Sequence, residues 1–301
     1  MTAEPLAGTA PPAAAAYLAK LAARSAATGT VLCLGLDPDP AALPRGFASD
    51  IRGIESFVRL VLDAALPFAA AVKPNLAFYE AFGSAGMAAL ERLRATIPGD
   101  VPIVIDAKRG DIGSTAARQA VALYDSLGAD AVTVSPYLGA AAIAPLLERL
   151  DRFAYVLCRT SNPGAGDLQD LVVAAGDGAP AEPLWSRVAR LVADWGPGGT
   201  VGLVVGATAP AEMRVIRDIA PALPFLVPGV GAQGGDVDAV LEAGPATTGG
   251  AGDSPGRGLL VNVSRAVAGA PTATGTVSAA EAGDRIAAAA RDWAARLPVL
   301  G

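Results

Sequence analysis

The sequence predicts a single (β/α)8 TIM-barrel domain, and two regularities along the chain support this fold class. Eight short apolar runs, rich in β-branched residues, recur along the 301 residues, and segments of helical length separate most of them. Near-continuous apolar strands that alternate with helices are typical of a parallel sheet covered on both faces. Eight such units in roughly 250 residues favour a closed barrel, with a doubly wound open sheet as the alternative.

The predicted elements follow one another in chain order. The predicted strands cover residues 31–36, 70–73, 102–106, 131–135, 154–158, 201–205, 225–227 and 259–263. The predicted helices cover residues 54–66, 84–95, 114–127, 140–150, 183–195, 210–220 and 279–297. No Gly-x-Gly-x-x-Gly pattern follows the first strand, which disfavours a dinucleotide-binding open sheet.

Three segments stand outside this alternation. Residues 1–15, rich in Ala and Pro, form a predicted loose leader before a first helix. Residues 162–182 are rich in Gly, Ala, Pro and Asp, and residues 243–258 have the composition of a mobile loop; we interpret both segments as loop insertions. Because we place both after strands, on the face where barrel active sites lie, each is a candidate lid.

The composition indicates a globular cytoplasmic protein without nucleic-acid or membrane partners. Hydrophobic residues make up 52% of the chain, the net charge is −6, and no run of Lys and Arg occurs. Cys33 and Cys158 lie in apolar runs and suit a reducing compartment. The apolar stretch 131–147 contains two prolines and is shorter than the ~20 residues of a membrane span. The absence of histidine excludes His-based triads and the usual zinc sites.

Polar and charged side chains follow six of the predicted strands. In a parallel barrel the carboxyl ends of all strands meet at one mouth, so these side chains are expected to converge there. In chain order they are Asp37, Lys73, Asn75, Asp106, Lys108, Asp111, Thr160, Ser161, Asn162, Gln233 and Arg265. Ser161 could instead cap a helix.

The lysines are unevenly distributed. Of 23 Lys and Arg residues only three are Lys, and two of these, Lys73 and Lys108, lie at predicted strand ends among carboxylates. Lysine supplies a titratable ammonium that arginine cannot. Asp106 and Lys108 are two residues apart and therefore point to the same side of an extended strand. The structural alternative is a buried ion pair that closes the barrel, but several desolvated charges together favour a functional site.

A glycine-rich turn, residues 228–235, and Arg265 follow strands seven and eight. These positions form the usual phosphate-binding corner of such barrels, where backbone N–H groups and a guanidinium bind an anion. The alternatives are an ordinary flexible loop and a solvated surface arginine. The position of both after the last two strands favours phosphate binding.

The segment DAKRGDIGST around Lys108 resembles the Asp-x-Lys-x-x-Asp signature of the orotidine 5'-phosphate decarboxylase family. The resemblance extends along nearly the whole barrel, through GLDP at Asp37, VKPN at Lys73, TSN at Ser161, PGVGAQGGD at Gln233 and Arg265. The long chain and the VKPN strand are similar to the bacterial subgroup called type 2. Gly113 and Ser264 depart from the pattern, since many members have Pro and Gly there.

The resemblance implies a homodimeric barrel that converts orotidine 5'-monophosphate (OMP) to uridine 5'-monophosphate (UMP) and CO2 without cofactor or metal. It implies that Lys108 protonates C6 of the pyrimidine, within a charged array of Lys73, Asp106, Lys108 and the partner subunit's Asp111. It further implies ribose contacts from Asp37 and Lys73, a pyrimidine contact from Ser161 and phosphate contacts from Gln233 and Arg265. Asp111 and Thr115 would be shared across the dimer interface. Asn75 and Gly231 complete the expected substrate-binding set.

Three other functions remain open at this point. The same Asp-x-Lys-x-x-Asp pattern occurs in metal-dependent sugar-phosphate decarboxylases and aldolases of the same superfamily. A Schiff-base aldolase could use Lys73 or Lys108 as its nucleophile. A barrel that binds a phosphate ligand without catalysis is the non-enzymatic alternative.

Overall fold

The chain folds into a barrel of eight parallel strands surrounded by helices. The computed structural model describes residues 14–174, 180–196, 199–231, 233–274 and 278–300. In chain order, barrel strands β1 to β8 are Leu32–Leu36, Ala71–Pro74, Val104–Arg109, Ala131–Val134, Phe153–Arg159, Val201–Val205, Phe225–Val227 and Leu260–Val263. All eight predicted strands are confirmed, with ends that differ by a few residues.

Strand pairing closes the sheet into a barrel. The strands pair in the order β2-β1-β8-β7-β6-β5-β4-β3, with every pair parallel. Parallel bridges between Val72 and Ile103 and between Asn75 and Asp106 join the two ends of this order. The predicted barrel is therefore confirmed, and the open-sheet alternative is wrong.

Helices cover the outside of the barrel. In chain order, α1 to α13 are Ala14–Thr28, Ile51–Ala65, Ala77–Glu80, Gly83–Thr96, Gly113–Ala120, Ala144–Leu147, Gly166–Gln169, Leu184–Ala193, Pro210–Ile219, Val237–Ala243, Gly249–Gly252, Arg265–Ala268 and Ala279–Arg296. Helix α2 shows why they pack there, because its buried face carries Ile54, Phe57, Val58 and Val61 at helical spacing. Among the described residues, no helix combines the length and apolar character needed to cross a membrane.

Two predicted helices differ from the observed ones. The segment predicted as helix 114–127 is α5 followed by a wider π-type turn, Val121–Ser126. The segment predicted as helix 140–150 is a short 3-10 turn, Ala140–Ala142, and then the four-residue α6. Pro145 lies in the first turn of α6, the only helical position where its missing N–H costs nothing. The helix therefore starts again at Ala144 instead of continuing from Ala140.

Helix α1 closes the amino-terminal end of the barrel. The ring of Tyr17 stacks on Phe153, with 4.8 Å between ring centroids, and its hydroxyl lies 3.0 Å from the hydroxyl of Tyr155. The ammonium of Lys20 pairs with Asp130, just before β4, at 2.9 Å. Residues 1–13 of the predicted leader lie outside the described residues, and its last two residues begin α1.

The insertion at residues 162–182 follows β5 at the carboxyl end of the barrel. Its described part contains α7 and a short antiparallel ribbon between Val172–Val173 and Glu182–Pro183. Residues 175–179 lie outside the described residues. The side chain of Gln169 binds Thr160, since its Oε1 accepts from the Thr160 N–H at 2.9 Å and its Nε2 donates to the Thr160 hydroxyl at 2.8 Å. The insertion is thus attached next to Ser161, and its use as a lid stays a prediction.

The segment 243–258 is not at the carboxyl end of the barrel, so its interpretation as a lid is wrong. It lies between α10 and β8, at the amino-terminal end of the barrel. A Cβ at Gly256 would lie 3.1 Å from Val31 and 3.3 Å from Ser25 Oγ, so this loop packs against α1. The error arose because sequence reasoning missed α10, which Asp236 caps through its carboxylate. Once α10 is placed after the glycine-rich turn, the following loop must return to the opposite end.

Candidate active site

Two lysines and one aspartate form an ionic cluster at the carboxyl end of the barrel. The Nζ of Lys73 lies 3.0 Å from Oδ2 of Asp106, and the Nζ of Lys108 lies 2.6 Å from Oδ1 of the same carboxylate. Lys73 is only 3% exposed, whereas the side chain of Lys108 is 51% exposed. One carboxylate therefore holds one buried ammonium and one that faces the open mouth.

Strand geometry brings the three side chains together. Lys73 lies on β2, and the bridge between Asn75 and Asp106 places the carboxyl ends of β2 and β3 side by side. Asp106 and Lys108 alternate on β3 as predicted. The strand is irregular at Lys108, whose φ is +48°, and its pairing with β4 shifts register between Ile105 and Arg109. Positive φ is uncommon for a residue with a side chain and marks backbone strain at this position.

The charges in the cluster stabilise one another. Burial alone would raise the pKa of Asp106, but the charges of Lys73 and Lys108 hold it well below its ordinary value. Burial alone would likewise lower the pKa of Lys73, yet the charges of Asp37 and Asp106 raise it above its ordinary value. Lys73 and Asp106 therefore both stay charged around neutral pH.

Asp37 and Asn75 flank Lys73 at the ends of β1 and β2. The Oδ1 of Asp37 is buried and has no hydrogen-bond partner among the described residues. The Oδ1 of Asn75 accepts a hydrogen bond from the N–H of Ala77 at 3.2 Å, which leaves its amide group free to donate elsewhere. A buried carboxylate oxygen without a partner is costly unless a ligand donates to it.

Ser161 and Gln233 meet across the mouth. The hydroxyl of Ser161 donates to Oε1 of Gln233 at 3.2 Å. A Cβ at Gly229 would lie 2.9 Å from the Ser161 Cβ, so the glycine-rich turn packs directly on this residue. The alternative role of Ser161 as a helix cap is wrong, because α7 begins at Gly166 with Ala165 as its preceding residue.

The glycine-rich turn also approaches Arg265. Gly231 has a φ of +76°, which favours glycine. A Cβ there would lie 3.2 Å from the Cβ of Ala266, next to Arg265 in α12. The guanidinium of Arg265 is exposed and forms no ion pair within the described residues. Arg265 lines one cavity of about 390 Å³ together with Asp37, which flanks Lys73. Because Arg265 follows β8 and the ionic cluster lies at the carboxyl ends of β2 and β3, the predicted phosphate corner and the cluster lie on the same rim.

Asp111 and Thr115 are not brought into the cluster within one chain. The Oδ1 of Asp111 accepts from the N–H of Ile112 at 2.7 Å, and Thr115 is exposed in the first turn of α5. In the described part of the chain, neither residue has a hydrogen bond or ion pair to Lys73, Asp106 or Lys108. Their predicted role across a dimer interface stays a prediction.

Three residues at the mouth were missed by sequence reasoning. Thr133 on β4 is buried and donates its hydroxyl proton to Oδ1 of Asp106 at 2.8 Å. Asn262 on β8 has a buried Oδ1 without a partner among the described residues. Gln169 binds Thr160, as described above. The first two lie inside predicted strands, where alternation could have placed them on the inner face.

Comparison with known proteins agrees with this geometry. A family model described as the orotidine 5'-phosphate decarboxylase / HUMPS family matches residues 30–280. A protein of Herpetosiphon aurantiacus named orotidine 5'-phosphate decarboxylase is 46% identical, over 91% of this chain and 96% of its own. A protein of Roseiflexus castenholzii with the same name is 49% identical, over 88% of this chain and 90% of its own.

A solved structure gives the same result for the fold. The OMP decarboxylase of Leishmania donovani superimposes with a TM-score of 0.75 at 36% identity, over 92% of this chain and 95% of that chain. The family model spans most of the chain. Both curated relatives are at least 46% identical to this chain over most of their length and its own. The chain therefore belongs to the orotidine 5'-phosphate decarboxylase / HUMPS family.

Proposed function

We propose that this protein removes CO2 from orotidine 5'-monophosphate to give UMP, with Lys108 as the proton donor. The reaction is that of its curated relatives, which are named orotidine 5'-phosphate decarboxylases, and it is the last step of de novo pyrimidine synthesis. The observation that carries the proposal is the open ammonium of Lys108, held 2.6 Å from Asp106 on the rim that also carries Arg265.

The chemistry explains why an ammonium is needed. When the bond between C6 and the carboxylate breaks, CO2 leaves and the electron pair stays on C6. That pair lies in the plane of the pyrimidine ring, where the ring π-system does not delocalise it. A cation beside C6 stabilises the developing charge and then delivers a proton to C6. Lys108 fits this role because it is both charged and open to the mouth.

Repulsion between Asp106 and the substrate carboxylate contributes only part of the effect. Two unit charges ~4 Å apart interact by about 4 kcal/mol at an effective dielectric of ~20. Enzymes lower barriers by roughly 8–23 kcal/mol. Preorganised cations and binding of the remote phosphate must therefore supply most of the stabilisation. Asp106 serves mainly to hold both ammonium groups in place.

The remaining predicted residues are proposed to hold the nucleotide. Asp37 and Lys73 would bind the ribose hydroxyls, and the unpartnered Oδ1 of Asp37 is an acceptor suited to a hydroxyl donor. Ser161 would contact the pyrimidine amide. The proposed phosphate-binding residues are Gly231, Gln233 and Arg265, and Asn75 completes the substrate-binding set. A phosphate at this corner would give Arg265 the anionic partner that it lacks within the described residues.

The charge pattern favours metal-free chemistry over the metal-dependent enzymes of the same superfamily. Both oxygens of Asp106 already accept hydrogen bonds, Oδ1 from Lys108 and Thr133 and Oδ2 from Lys73. A divalent cation bound there would lie beside two ammonium groups and would be repelled by both. We therefore propose that neither a metal nor a cofactor takes part.

One assay tests the proposed function. Purified protein incubated with OMP is expected to remove the absorbance of the substrate and to release CO2, at the same rate with and without EDTA. Loss of activity on chelation would favour a metal-dependent reaction. Borohydride trapping of an adduct with a carbonyl substrate would favour a Schiff-base aldolase, and OMP binding without CO2 release would favour a non-catalytic barrel.

Arg265→Ala is expected to weaken the use of OMP strongly. Hydrogen bonds to charged groups contribute about 1.5–3 kcal/mol each, so loss of a two-pronged phosphate contact lowers kcat/KM by roughly 100-fold or more. The nucleoside orotidine, which has no phosphate, distinguishes a lost phosphate contact from a general loss of activity. Its kcat/KM should change little in the variant. Arg52→Ala removes a well-exposed arginine and serves as the matched control. Equal losses with OMP and orotidine would contradict the phosphate role.

We also propose that the active protein is a homodimer that shares Asp111 and Thr115 between two sites. The support is an exposed apolar surface beside these residues, where Ile112 is 70%, Tyr137 78% and Leu138 59% exposed. Large apolar side chains grouped at a loop surface are typical of an interface. Sedimentation that gives twice the chain mass would support the dimer, and a monomer that is fully active would contradict the shared site.

The cytoplasm is the proposed compartment. Cys33 and Cys158 are both free and buried, and burial raises the pKa of each thiol to about 12. Buried, protonated thiols are small core residues that suit a reducing compartment. Localisation of the tagged protein tests this assignment.

A further inference from the structure

The backbone of Lys108 requires a structural support that the ion pair with Asp106 does not provide. Its φ is +48°, and only one other non-glycine residue in the described ranges, Arg257, has a positive φ. The strain occurs where pairing between β3 and β4 shifts register. Such conformations persist only where the surrounding contacts impose them. Contacts to the N–H groups of Ala107 and Lys108 can provide this support.

The side chain of Thr133 supplies those contacts. Its Oγ1 accepts hydrogen bonds from the N–H of Ala107 at 3.1 Å and from the N–H of Lys108 at 3.0 Å. Thr133 is 2% exposed, so no water competes for its hydroxyl. The two amides that the irregular strand would leave unpaired are thus bound by one side-chain oxygen.

The Thr133 hydroxyl has a single proton, and the contacts around the oxygen determine which acceptor receives it. A hydroxyl donates once and accepts twice, and both acceptor positions of Thr133 are taken by backbone N–H groups. Its proton goes to Oδ1 of Asp106 at 2.8 Å, the same oxygen that accepts from the ammonium of Lys108 at 2.6 Å. Thr133 therefore contacts both the backbone of Lys108 and the carboxylate to which the Lys108 ammonium is bound.

We propose that Thr133 is a positioning residue for the proton donor, an inference that rests on the proposed function. It fixes the strained backbone from which the Lys108 side chain extends and orients the carboxylate that holds its ammonium. Misplacement of a reacting group by about 1 Å can slow a reaction ~100-fold. Loss of the hydroxyl should therefore slow the chemical step without weakening nucleotide binding, because Thr133 lies behind Asp106.

The test compares Thr133→Val with Thr133→Ser. Valine keeps the shape but removes the hydroxyl, and kcat for OMP is expected to fall ~100-fold while KM and the Kd for UMP change less than ~3-fold. Serine keeps the hydroxyl and is expected to restore kcat to within ~5-fold of the wild type.

Thr30→Val is the matched control. Thr30 is also fully buried, donates to the carbonyl of Leu297 at 2.6 Å and accepts from the N–H of Leu32 at 3.1 Å, but it lies at the opposite end of the barrel. Its replacement should lower the melting temperature and leave kcat unchanged. If Thr133→Val is insoluble, Thr133→Cys, which keeps the size and a weak S–H donor, is expected to show an intermediate kcat.

The outcomes separate this inference from the proposed function. A wild-type protein that does not decarboxylate OMP would contradict the function itself. An active wild type with Thr133→Val no slower than Thr30→Val would overturn only the role of Thr133. A fall in UMP affinity as large as the fall in kcat, or a serine variant as slow as the valine variant, would also overturn it, since either result indicates a general packing defect.

Discussion

The Lys108→Ala variant is expected to lose at least ~10⁴-fold in kcat for OMP decarboxylation, because one change removes the group proposed both to stabilise the developing charge and to donate the proton. The fold should remain intact. The side chain is half exposed, and Asp106 keeps Lys73 and Thr133 as partners. The measurement is the loss of OMP absorbance at saturating substrate, together with a thermal melt of the same preparation.

Lys20→Ala is the matched control for this result. Lys20 also pairs with an aspartate, Asp130, at 2.9 Å, but it lies under the closed end of the barrel. Its replacement removes the same charge and should leave kcat within ~2-fold, because the Lys20–Asp130 pair lies at the opposite end of the barrel from the ionic cluster. If Lys108→Ala kept more than about 1% of the wild-type kcat, a group other than Lys108 would have to donate the proton.

The second large effect is expected from Asp106→Asn, which keeps the shape of the side chain and removes its charge. The buried ammonium of Lys73 then keeps only Asp37 as an opposing charge. Removal of one partner of a buried pair costs about 3–5 kcal/mol, and the remaining charge of Asp37 places the expected loss near ~3 kcal/mol. Because Lys108 also loses its anchor, kcat should fall by at least ~100-fold. Urea unfolding and the OMP assay measure the two effects.

The stability loss should depend on pH in a defined direction. In the wild type the pKa of Lys73 is raised. The charge of Lys73 therefore contributes fully to the folding stability below the pKa of lysine in the unfolded chain, about 10.4, and this contribution is lost only at higher pH. In Asp106→Asn, burial is opposed by Asp37 alone, so the pKa of Lys73 falls. Raising the pH then deprotonates Lys73 in the variant and removes the cost of burying its charge. The difference in unfolding free energy between wild type and Asp106→Asn should therefore be smaller at pH 9.5 than at pH 7.

Asp125→Asn provides the comparison for this variant. Asp125 forms an ion pair with Arg149 in which its side chain is 44% exposed, so its loss should cost less than ~1 kcal/mol and leave kcat unchanged. If the difference in unfolding free energy between wild type and Asp106→Asn stayed constant from pH 7 to pH 9.5, Lys73 would not titrate in the variant. In that case the charge of Asp106 would not be what keeps Lys73 protonated.

The barrel and most of its mouth could be predicted from the sequence. Apolar runs of strand length gave all eight strands, and the parallel arrangement then placed Asp37, Lys73 and Lys108 on one rim. The alternation of side chains correctly put Asp106 and Lys108 on the same side of β3, where the ion pair is found. These features follow from local patterns and from the geometry common to every parallel barrel.

Other features depend on tertiary contacts that no local pattern encodes. Thr133 reads as an ordinary β-branched strand residue, and its importance appears only because β3 changes register opposite it. The loop 243–258 was placed at the wrong end because α10, of only seven residues, was missed. Asp111 and Thr115 were predicted to act in a neighbouring subunit, which is a property of two chains and not of one.

The closure of the barrel by α1 has a consequence for catalytic turnover. Tyr17, Phe153 and Tyr155 fill the amino-terminal end of the barrel, so molecules cannot pass through its axis. Incoming OMP and outgoing CO2 and UMP must all exchange at the opposite rim, where residues 162–182 are attached beside Ser161. The two products therefore share a single exit, which is also the entrance for the next substrate molecule.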